Sequence, residues 1–387
     1  MRLLTDEGRA ALDLAADQPD PGSVAAAGAL RKRFDADLAA AALTQEALRR
    51  RALPRFGDRA RAMLFTRDGL EQATRPEVSR WRARRLVDAG VTRIVDLGCG
   101  IAADAMGMAE AGIRVTAVEL DPDTAAIAAH NLSLVSDEAR VEVGNALDLA
   151  PGLLADPGTA VFLDPARRTA RGRTWRTEDL TPPWPFALDL VESGRPVVVK
   201  LGPGIDRDLL PDVATSHVSQ AGDAVETTLW AGWDAPRHEA VLIDDGGEVR
   251  TLAGEPEQPP VGPLAGYVHE PDPAVSRAAL VGLLGDVVQL DQHAGYFSSD
   301  EPLPEPFATS FEVLEVLDAR PKELARWVRV HDIGTLEIKK RGRGGLLDTA
   351  PAVLRRQLKP SGRGRATLLL ARVSGETHAI HARRVCS

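Results

Sequence analysis

The stretch IVDLGCGIAADAMGMAEAGIRVTAVE, from Ile94 to Glu119, decides the fold of this chain. An apolar run is followed by a glycine-rich turn, a helical stretch and a second apolar run that ends in a carboxylate. This order predicts a strand–turn–helix–strand unit that binds the adenosine part of a cofactor, because glycines admit the cofactor close to the backbone and the acid holds the ribose hydroxyls. The unit alone fits both a dinucleotide and S-adenosylmethionine (SAM).

Asp96, two residues ahead of Gly98, separates these two cofactors. Gly98, Gly100 and Ala103 follow the pattern G-x-G-x-x-A, which a dinucleotide-binding fold also shows. A carboxylate at the end of the first strand suits a cationic amino group, as SAM has, and would repel a pyrophosphate. Glu119, at the end of the second strand, would then hold the ribose hydroxyls. The sequence therefore favours SAM.

Further strand ends supply the remaining candidate residues. Residues 89–253 are predicted to form one domain. From about Val91 to Trp230, apolar strands alternate with helical stretches, which predicts a parallel sheet covered on both faces. After the third strand, Asn145 is predicted to hydrogen-bond the adenine edge, and Ala146 leaves room for the ring. Asp164 ends the fourth strand and Lys200 the fifth, so both are candidate catalytic residues facing the acceptor. Two alternatives stay open. Asp164 caps its turn while Arg167 pairs with it, or Lys200 simply meets a phosphate or the Asp164 carboxylate.

Composition limits the class of protein. The 387 residues allow two or three domains, and the two cysteines indicate neither a disulfide framework nor a metal cluster. The eight histidines show no metal-ligand spacing, so no metal is expected. Neither a signal peptide nor a membrane span is apparent, and a cytoplasmic protein is expected.

Charge divides the chain unevenly. The net charge is −9, yet the part from Arg320 to the end has 16 Lys and Arg against 5 Asp and Glu. Residues 1–88 are predicted to be helical, 254–263 to be a linker, and 264–387 to be a separate strand–helix unit. A basic unit on an acidic body predicts a polyanionic partner for that unit. Its candidate phosphate-binding residues are Lys339, Lys340, Arg341, Arg343, Arg355, Arg356, Lys359, Arg363 and Arg365.

The motifs DLGCG, Glu119 and DPAR, in this order, resemble those of the class I SAM-dependent methyltransferases. The resemblance extends to a bacterial subfamily that joins a helical N-terminal segment, a Rossmann-like methyltransferase domain and a C-terminal THUMP-like domain. It is carried by LFTRDGLEQATRPEVSRWRARR at 64–85, DPARR at 164–168, VVKLGPGID at 198–206 and YVHEPDPAVSRA at 267–278.

This resemblance implies an α/β sheet of strand order 3-2-1-4-5-7-6, SAM as methyl donor and an RNA substrate, because THUMP domains are associated with RNA modification. It also implies that Gln72 and Thr74 approach the methionine end of SAM. Asp164, Lys200 and Glu226 match part of the tetrad of ribose 2′-O methyltransferases, whose first lysine has no counterpart here.

Other functions stay open at this point. The sequence Asp-Pro-Ala-Arg at 164–167 lacks the second proline and the aromatic residue of amino-directed adenine methyltransferases. The alternatives are a methyltransferase with a small-molecule or protein acceptor, a non-catalytic RNA-binding protein with a SAM-type fold, and an NAD-dependent oxidoreductase. The sequence indicates neither the acceptor atom nor the oligomeric state.

Overall fold

The computed structural model describes residues 2–167, 180–292, 295–342 and 345–385. Arg168, Arg171, Arg173 and Arg343 therefore lie outside the described residues. The chain divides into two compact units, the first formed by Met1–Thr215, Glu226–Ala235 and Asp245–Glu248, the second by Ser216–Val225, Pro236–Asp244 and Val249–Ser387. The domain limits expected from the sequence, at residues 88, 253 and 264, stay predictions.

The N-terminal segment is helical, as predicted. Its first three helices begin at Thr5, Ser23 and Asp35, whose side chains each accept hydrogen bonds from backbone N–H groups two or three positions further on. Such caps satisfy N–H groups that have no partner within the helix. The segment contains α1 (Asp6–Ala16), α2 (Val24–Arg31), α3 (Ala36–Phe56), α4 (Arg67–Gln72) and α5 (Pro76–Asp88).

The candidate site is built on a nine-stranded sheet with the order β11-β10-β8-β9-β7-β4-β1-β2-β3. Strands β3, β2, β1, β4 and β7 are parallel, and β9 is antiparallel to β7. The predicted α/β class is confirmed, and the sheet has two strands more than the seven expected. The strands are β1 (Arg93–Leu97), β2 (Arg114–Glu119), β3 (Arg140–Val143), β4 (Ala160–Leu163), β7 (Val197–Leu201), β8 (Ala214–Gln220), β9 (Asp223–Ala231), β10 (His238–Ile243) and β11 (Val249–Ala253).

Helices connect the parallel strands, which leaves the carboxyl ends of those strands at one edge of the sheet. The helices are α6 (Ala103–Glu110), α7 (Pro122–Ser133), α8 (Ala146–Leu153) and α9 (Trp184–Glu192), and a two-stranded sheet is formed by β5 (Ala166–Arg167) and β6 (Leu180–Thr181). The core under the carboxyl edge is apolar, with Leu97, Leu163 and Val199 fully buried.

The second unit contains a seven-stranded sheet with the order β13-β14-β12-β15-β18-β17-β16. Its elements are β12 (Tyr267–Pro271), α10 (Pro273–Ala278), β13 (Val288–Gln289), β14 (Phe297–Ser299), β15 (Ala308–Asp318), α11 (Pro321–Val330), β16 (Ile333–Lys340), α12 (Pro351–Leu358), β17 (Gly364–Val373) and β18 (Glu376–Arg384). Leu324 and Trp327 of α11 and Leu354 of α12 share one core with Leu368 of β17. The predicted strand–helix series is confirmed, whereas β18 was not predicted.

Residues 57–75 join α3 to α5, and residues 62–75, here called the connector, pack against the glycine-rich turn, where Gly69 lies next to Ile101. Asn131 of α7 is fully buried and fixes the connector. Its Oδ1 accepts from Leu64 N at 2.8 Å, and its Nδ2 donates to Leu64 O at 2.9 Å and to Ile101 O at 3.0 Å. Since Ile101 belongs to the glycine-rich turn, one side chain ties the connector to the cofactor-binding region.

Replacing Asn131 by Ala is expected to destabilise the protein by about 3 kcal/mol, because three buried backbone groups lose their partner. Urea unfolding followed by tryptophan fluorescence measures this loss. The matched control is Ser23→Ala, which removes two hydrogen bonds at the exposed start of α2 and should cost about 1 kcal/mol. Equal midpoints for the two variants would contradict the assigned role of Asn131.

Candidate cofactor and methyl-transfer site

The glycine-rich turn has the backbone conformation that its sequence predicts. Gly98 and Gly100 have φ angles of 97° and 55°, a region that glycine adopts without strain. The N–H groups of Gly98 and Cys99 both donate to Val118 O at 2.9 Å, which binds the turn to β2. The turn then leads directly into α6.

Glu119 is held beside this turn by backbone donors. Its Oε2 accepts from Gly100 N and its Oε1 from Asp121 N, each at 3.0 Å. A carboxylate accepts about four hydrogen bonds, so lone pairs remain for two ribose hydroxyls. The sequence assigned this role to Glu119, and its geometry is suited to it.

Asp96 is a buried carboxylate that lacks a full set of partners. The residue is 1% exposed, and its Oδ1 has no hydrogen-bond partner among the described residues. Burial, together with the nearby Asp104 and Asp164, raises the pKa of Asp96 well above its ordinary value. An unpaired buried carboxylate is costly, and an ammonium group would satisfy it. The residues present therefore fit a cofactor that carries a cationic amino group.

Asn145 and Ala146 stand where α8 begins. Asn145 is exposed and is the N-cap of α8, and its Oδ1 accepts from Leu147 N at 3.1 Å. The NH₂ group of the Asn145 side chain takes no part in the cap. Ala146, the first residue of α8, is buried. The helix-capping role of Asn145 was missed by the sequence analysis, which considered only the contact with adenine.

Exposed apolar side chains lie at or just after the carboxyl ends of β2 and β3. Leu120 follows Glu119 and is 61% exposed, and Val143, which pairs with Glu119 across β2 and β3, is 56% exposed. Leu147, in the first turn of α8, is 38% exposed. Large apolar groups at a strand edge provide a surface for a planar ring.

The connector contributes Gln72 and Thr74, with different surroundings. Gln72 is exposed at the last position of α4. Thr74 is buried, and its hydroxyl donates to Asp104 Oδ2 at 2.6 Å and accepts from Lys200 Nζ at 2.7 Å. The hydroxyl of Thr74 is therefore committed to two charged side chains of the site.

Lys200 lies at the centre of the site. Besides Thr74, its Nζ contacts Asp104 Oδ2 at 3.3 Å and makes a shorter ion pair with Asp164 Oδ2. Burial alone would lower the pKa of Lys200, but the carboxylates of Asp104 and Asp164 outweigh it and raise the pKa above the ordinary value. An ammonium has three N–H donors, and all three have acceptors here. The open alternative in which Lys200 pairs with Asp164 is what the structure has.

Asp164 is the more accessible partner of this pair. Its side chain is 34% exposed, against 11% for Lys200. Burial raises the pKa of Asp164, while Lys200 opposes that shift. One carboxylate oxygen is thus held by the ammonium, and the group remains open to a ligand.

Two further residues of the site, Asp104 and Arg82, were missed by the sequence analysis. Arg82 is 1% exposed and donates to Asp104 Oδ1 and, at 2.5 Å, to Glu226 Oε1. Its guanidinium also lies 5.1 Å from the ring centroid of Phe162. The sequence could have pointed to Asp104, because this residue directly follows the G-x-G-x-x-A pattern. Arg82 had no such signal, since it is one of several arginines in RWRARR.

Parallel strands that end in a glycine-rich turn, with one acid held beside that turn and a buried carboxylate that has an unpaired oxygen, are typical of a Rossmann-like methyltransferase fold. The chain belongs to the SAM-dependent methyltransferases. It is 33% identical over 345 residues to the uncharacterized SAM-dependent methyltransferase of Mycobacterium tuberculosis strain CDC 1551, covering 84% of this chain and 90% of that protein. The counterpart in strain H37Rv matches equally. SAM is therefore the cofactor, and the oxidoreductase alternative is wrong.

Two further comparisons concern domains and fold. A THUMP domain-like family model matches residues 308–384, and a model for a domain of unknown function matches residues 1–52. The crystal structure of a protein assigned as a methyltransferase from Porphyromonas gingivalis W83 superposes with a TM-score of 0.77 at 20% identity, covering 98% of this chain and 99% of that chain. The protein is thus a class I methyltransferase with a C-terminal THUMP-like domain.

The described residues lack two kinds of feature. No helix in these parts of the chain is long and apolar enough to cross a membrane. No group of three His, Cys, Asp or Glu side chains there is arranged to hold a metal ion.

Proposed function

We propose that this methyltransferase acts on RNA, which it binds through the second unit. The THUMP domain-like match at residues 308–384 supports this proposal, because THUMP domains are associated with RNA modification. A polyanionic substrate also agrees with the excess of Lys and Arg after residue 320.

The observation that carries the proposal is a set of exposed cations, here called the basic face. They lie on α11, on α12 and beside these helices, and they make no ion pair among the described residues. Such side chains are free to contact phosphates. The basic face consists of Lys322, Arg326, Arg329, Arg356 and Lys359. Arg365 is not part of it, because Arg365 lies on β17 and alternates with Ala366 and Leu368, which face the helices.

Several cations that the sequence analysis put forward have other partners. Lys339 and Arg341 both bind the half-buried Glu270, at 2.6 Å and 3.1 Å. Lys340 donates to the backbone oxygen of Leu347. Arg355 donates to Leu336 O, and Arg363 pairs with Asp332. The proposal therefore assigns RNA binding to the basic face rather than to the whole basic tail.

In the first unit, the proposal assigns cofactor binding to the edge of the nine-stranded sheet. Asp96 would meet the amino group of SAM and Glu119 its ribose hydroxyls. The positive φ angles of Gly98 and Gly100 let the backbone approach the cofactor, and Asn145, Ala146, Gln72 and Thr74 complete the predicted set. SAM supplies an electrophilic methyl group bound to a sulfonium.

Asp164 is assigned to the methyl acceptor. It accepts a hydrogen bond from an N–H or O–H of the acceptor, which turns the lone pair of that atom toward the methyl group. Its raised pKa suits it to receive the proton that the acceptor loses. Lys200, whose three N–H groups are occupied, holds Asp164 and does not contact the acceptor. The acceptor is therefore a nitrogen or oxygen that carries a hydrogen.

Removing three charges of the basic face tests the RNA partner. The combined variant Arg326→Gln, Arg329→Gln, Arg356→Gln should bind RNA on the order of 10- to 100-fold more weakly, with a salt dependence shallower by about 1 per lost phosphate contact. Fluorescence anisotropy over a salt series measures both quantities. The control removes three exposed arginines of the first unit, Arg9, Arg31 and Arg61. Equal losses in both variants would refute the basic face as the binding surface.

The catalytic half of the proposal requires an assay of methyl transfer. Wild-type protein with methyl-labelled SAM and total RNA of the source organism should give label that ribonuclease, but not protease, releases. Label in protein or in small molecules alone would overturn the RNA assignment and leave the methyltransferase assignment standing.

A further inference from the structure

Asp104 joins three elements of the first unit at one carboxylate. It lies in the first turn of α6 and is buried. Its Oδ1 accepts from Arg82 of α5, and its Oδ2 accepts from the Thr74 hydroxyl of the connector and from Lys200 of β7. Burial would raise the pKa of Asp104, but Lys200 and Arg82 outweigh it and lower the pKa to about 2. Asp104 is therefore ionised at neutral pH.

Lys200 connects Asp104 to Asp164, the residue assigned to the methyl acceptor. Its ammonium lies between Asp104 Oδ2 and Asp164 Oδ2, and Thr74 closes a triangle by accepting from Lys200 and donating to Asp104. Lys200 contacts two carboxylates, those of Asp104 and Asp164. Without the charge of Asp104, Asp164 would be the only charged acceptor of these two. The ammonium could then shift, and Asp164 with it.

Arg82 links Asp104 to a second buried acid, Glu226. The Arg82 guanidinium spans the two carboxylates, and Glu226 also accepts from the Thr228 hydroxyl at 2.7 Å. Both carboxylates are buried. A guanidinium fork that binds two buried carboxylates restricts the positions of both.

We infer that Asp104 is a positioning residue of the methyl-transfer site, acting through Lys200 to orient Asp164, an inference that rests on the proposed role of Asp164. No contact of Asp104 with cofactor or acceptor is involved. Its function is to fix Lys200 so that one oxygen of Asp164 is held and the other is presented to the acceptor.

The variant Asp104→Asn keeps the size of the side chain and removes its charge. Displacement of a reacting group by about 1 Å costs about 100-fold in rate, so kcat should fall about 100-fold while KM for the RNA changes little. The acid limb of the kcat–pH profile should also move to lower pH, because Asp104 is one of the charges that raise the pKa of Asp164. The charged groups around Asp164 are Asp96 on β1, Lys200 on β7, Asp104 on α6 and Arg82 on α5.

A second readout does not require the acceptor. The chain has six lysines, so ¹⁵N-lysine NMR of the protein without SAM should resolve the slowly exchanging Lys200 ammonium, assigned by its loss in Lys200→Arg. Asp104→Asn should shift or broaden this signal. The matched control, Asp148→Asn, changes an exposed acid in the first turn of α8 and should retain it. If Asp104→Asn does not fold, Thr74→Val removes the bridging hydroxyl and should perturb the same signal.

An unchanged Lys200 signal and an unmoved acid limb in Asp104→Asn would overturn the inference, whatever the loss of rate. Failure of the proposed function would look different. In that case Asp164→Asn would transfer methyl groups like the wild type, while the NMR signal of Lys200 would still respond to Asp104→Asn.

Discussion

Replacing Asp164 by Asn is expected to slow methyl transfer by about 10²- to 10⁴-fold, the usual contribution of a general base, and to leave SAM binding near its wild-type strength. An amide has no negative charge for the Lys200 ammonium and cannot take the acceptor's proton. Single-turnover transfer of labelled methyl groups and calorimetric titration with SAM measure the two effects separately.

The matched control is Asp148→Asn, which changes an exposed acid in the first turn of α8. It should leave both quantities unchanged. Transfer by Asp164→Asn at the wild-type rate would show that Asp164 shapes its turn without acting on the acceptor.

Replacing Asp96 by Asn is expected to weaken SAM binding about 100-fold or more, because an ammonium that enters a buried site loses its charged partner. The same change should stabilise the protein without SAM at neutral pH. The pKa of Asp96 is higher in the folded protein than in the unfolded chain, so ionisation of Asp96 opposes folding above its ordinary pKa. Asparagine removes that cost.

Thermal unfolding without SAM and calorimetry across pH check both consequences. In the wild type, SAM affinity should rise as pH rises through the raised pKa of Asp96, with a proton released on binding. In Asp96→Asn this dependence should disappear. A variant that is less stable without SAM, or that binds SAM as tightly as the wild type does, would rule out this account of Asp96.

Local spacing was enough to predict the geometry of the glycine-rich turn and the position of Glu119 beside it. Asp96, Gly98, Gly100 and Glu119 lie within 24 residues of one another, and a strand–turn–helix–strand unit leaves few ways to arrange them. The backbone angles of both glycines and the hydrogen bond from Gly100 N to Glu119 agree with that prediction.

The network behind the acceptor could not be predicted in the same way. Arg82 and Glu226 are 144 positions apart in the chain, and Lys200 is 126 positions from Thr74. Such partners are set by packing of distant elements rather than by local spacing. Charge counting likewise could not distinguish Lys339, which is paired with Glu270, from the exposed Arg326. Strand β18 was missed because its buried positions include the small residues Ala379 and Ala382.

The central claim is that this protein methylates RNA through Asp164. Its most direct test compares modified nucleosides by mass spectrometry in RNA from a deletion strain, from its parent, and from the deletion strain complemented with the wild type or with Asp164→Asn. We expect one methylated nucleoside to be lost on deletion and restored by the wild type but not by Asp164→Asn. Identical nucleoside profiles in all four RNA samples would contradict the claim.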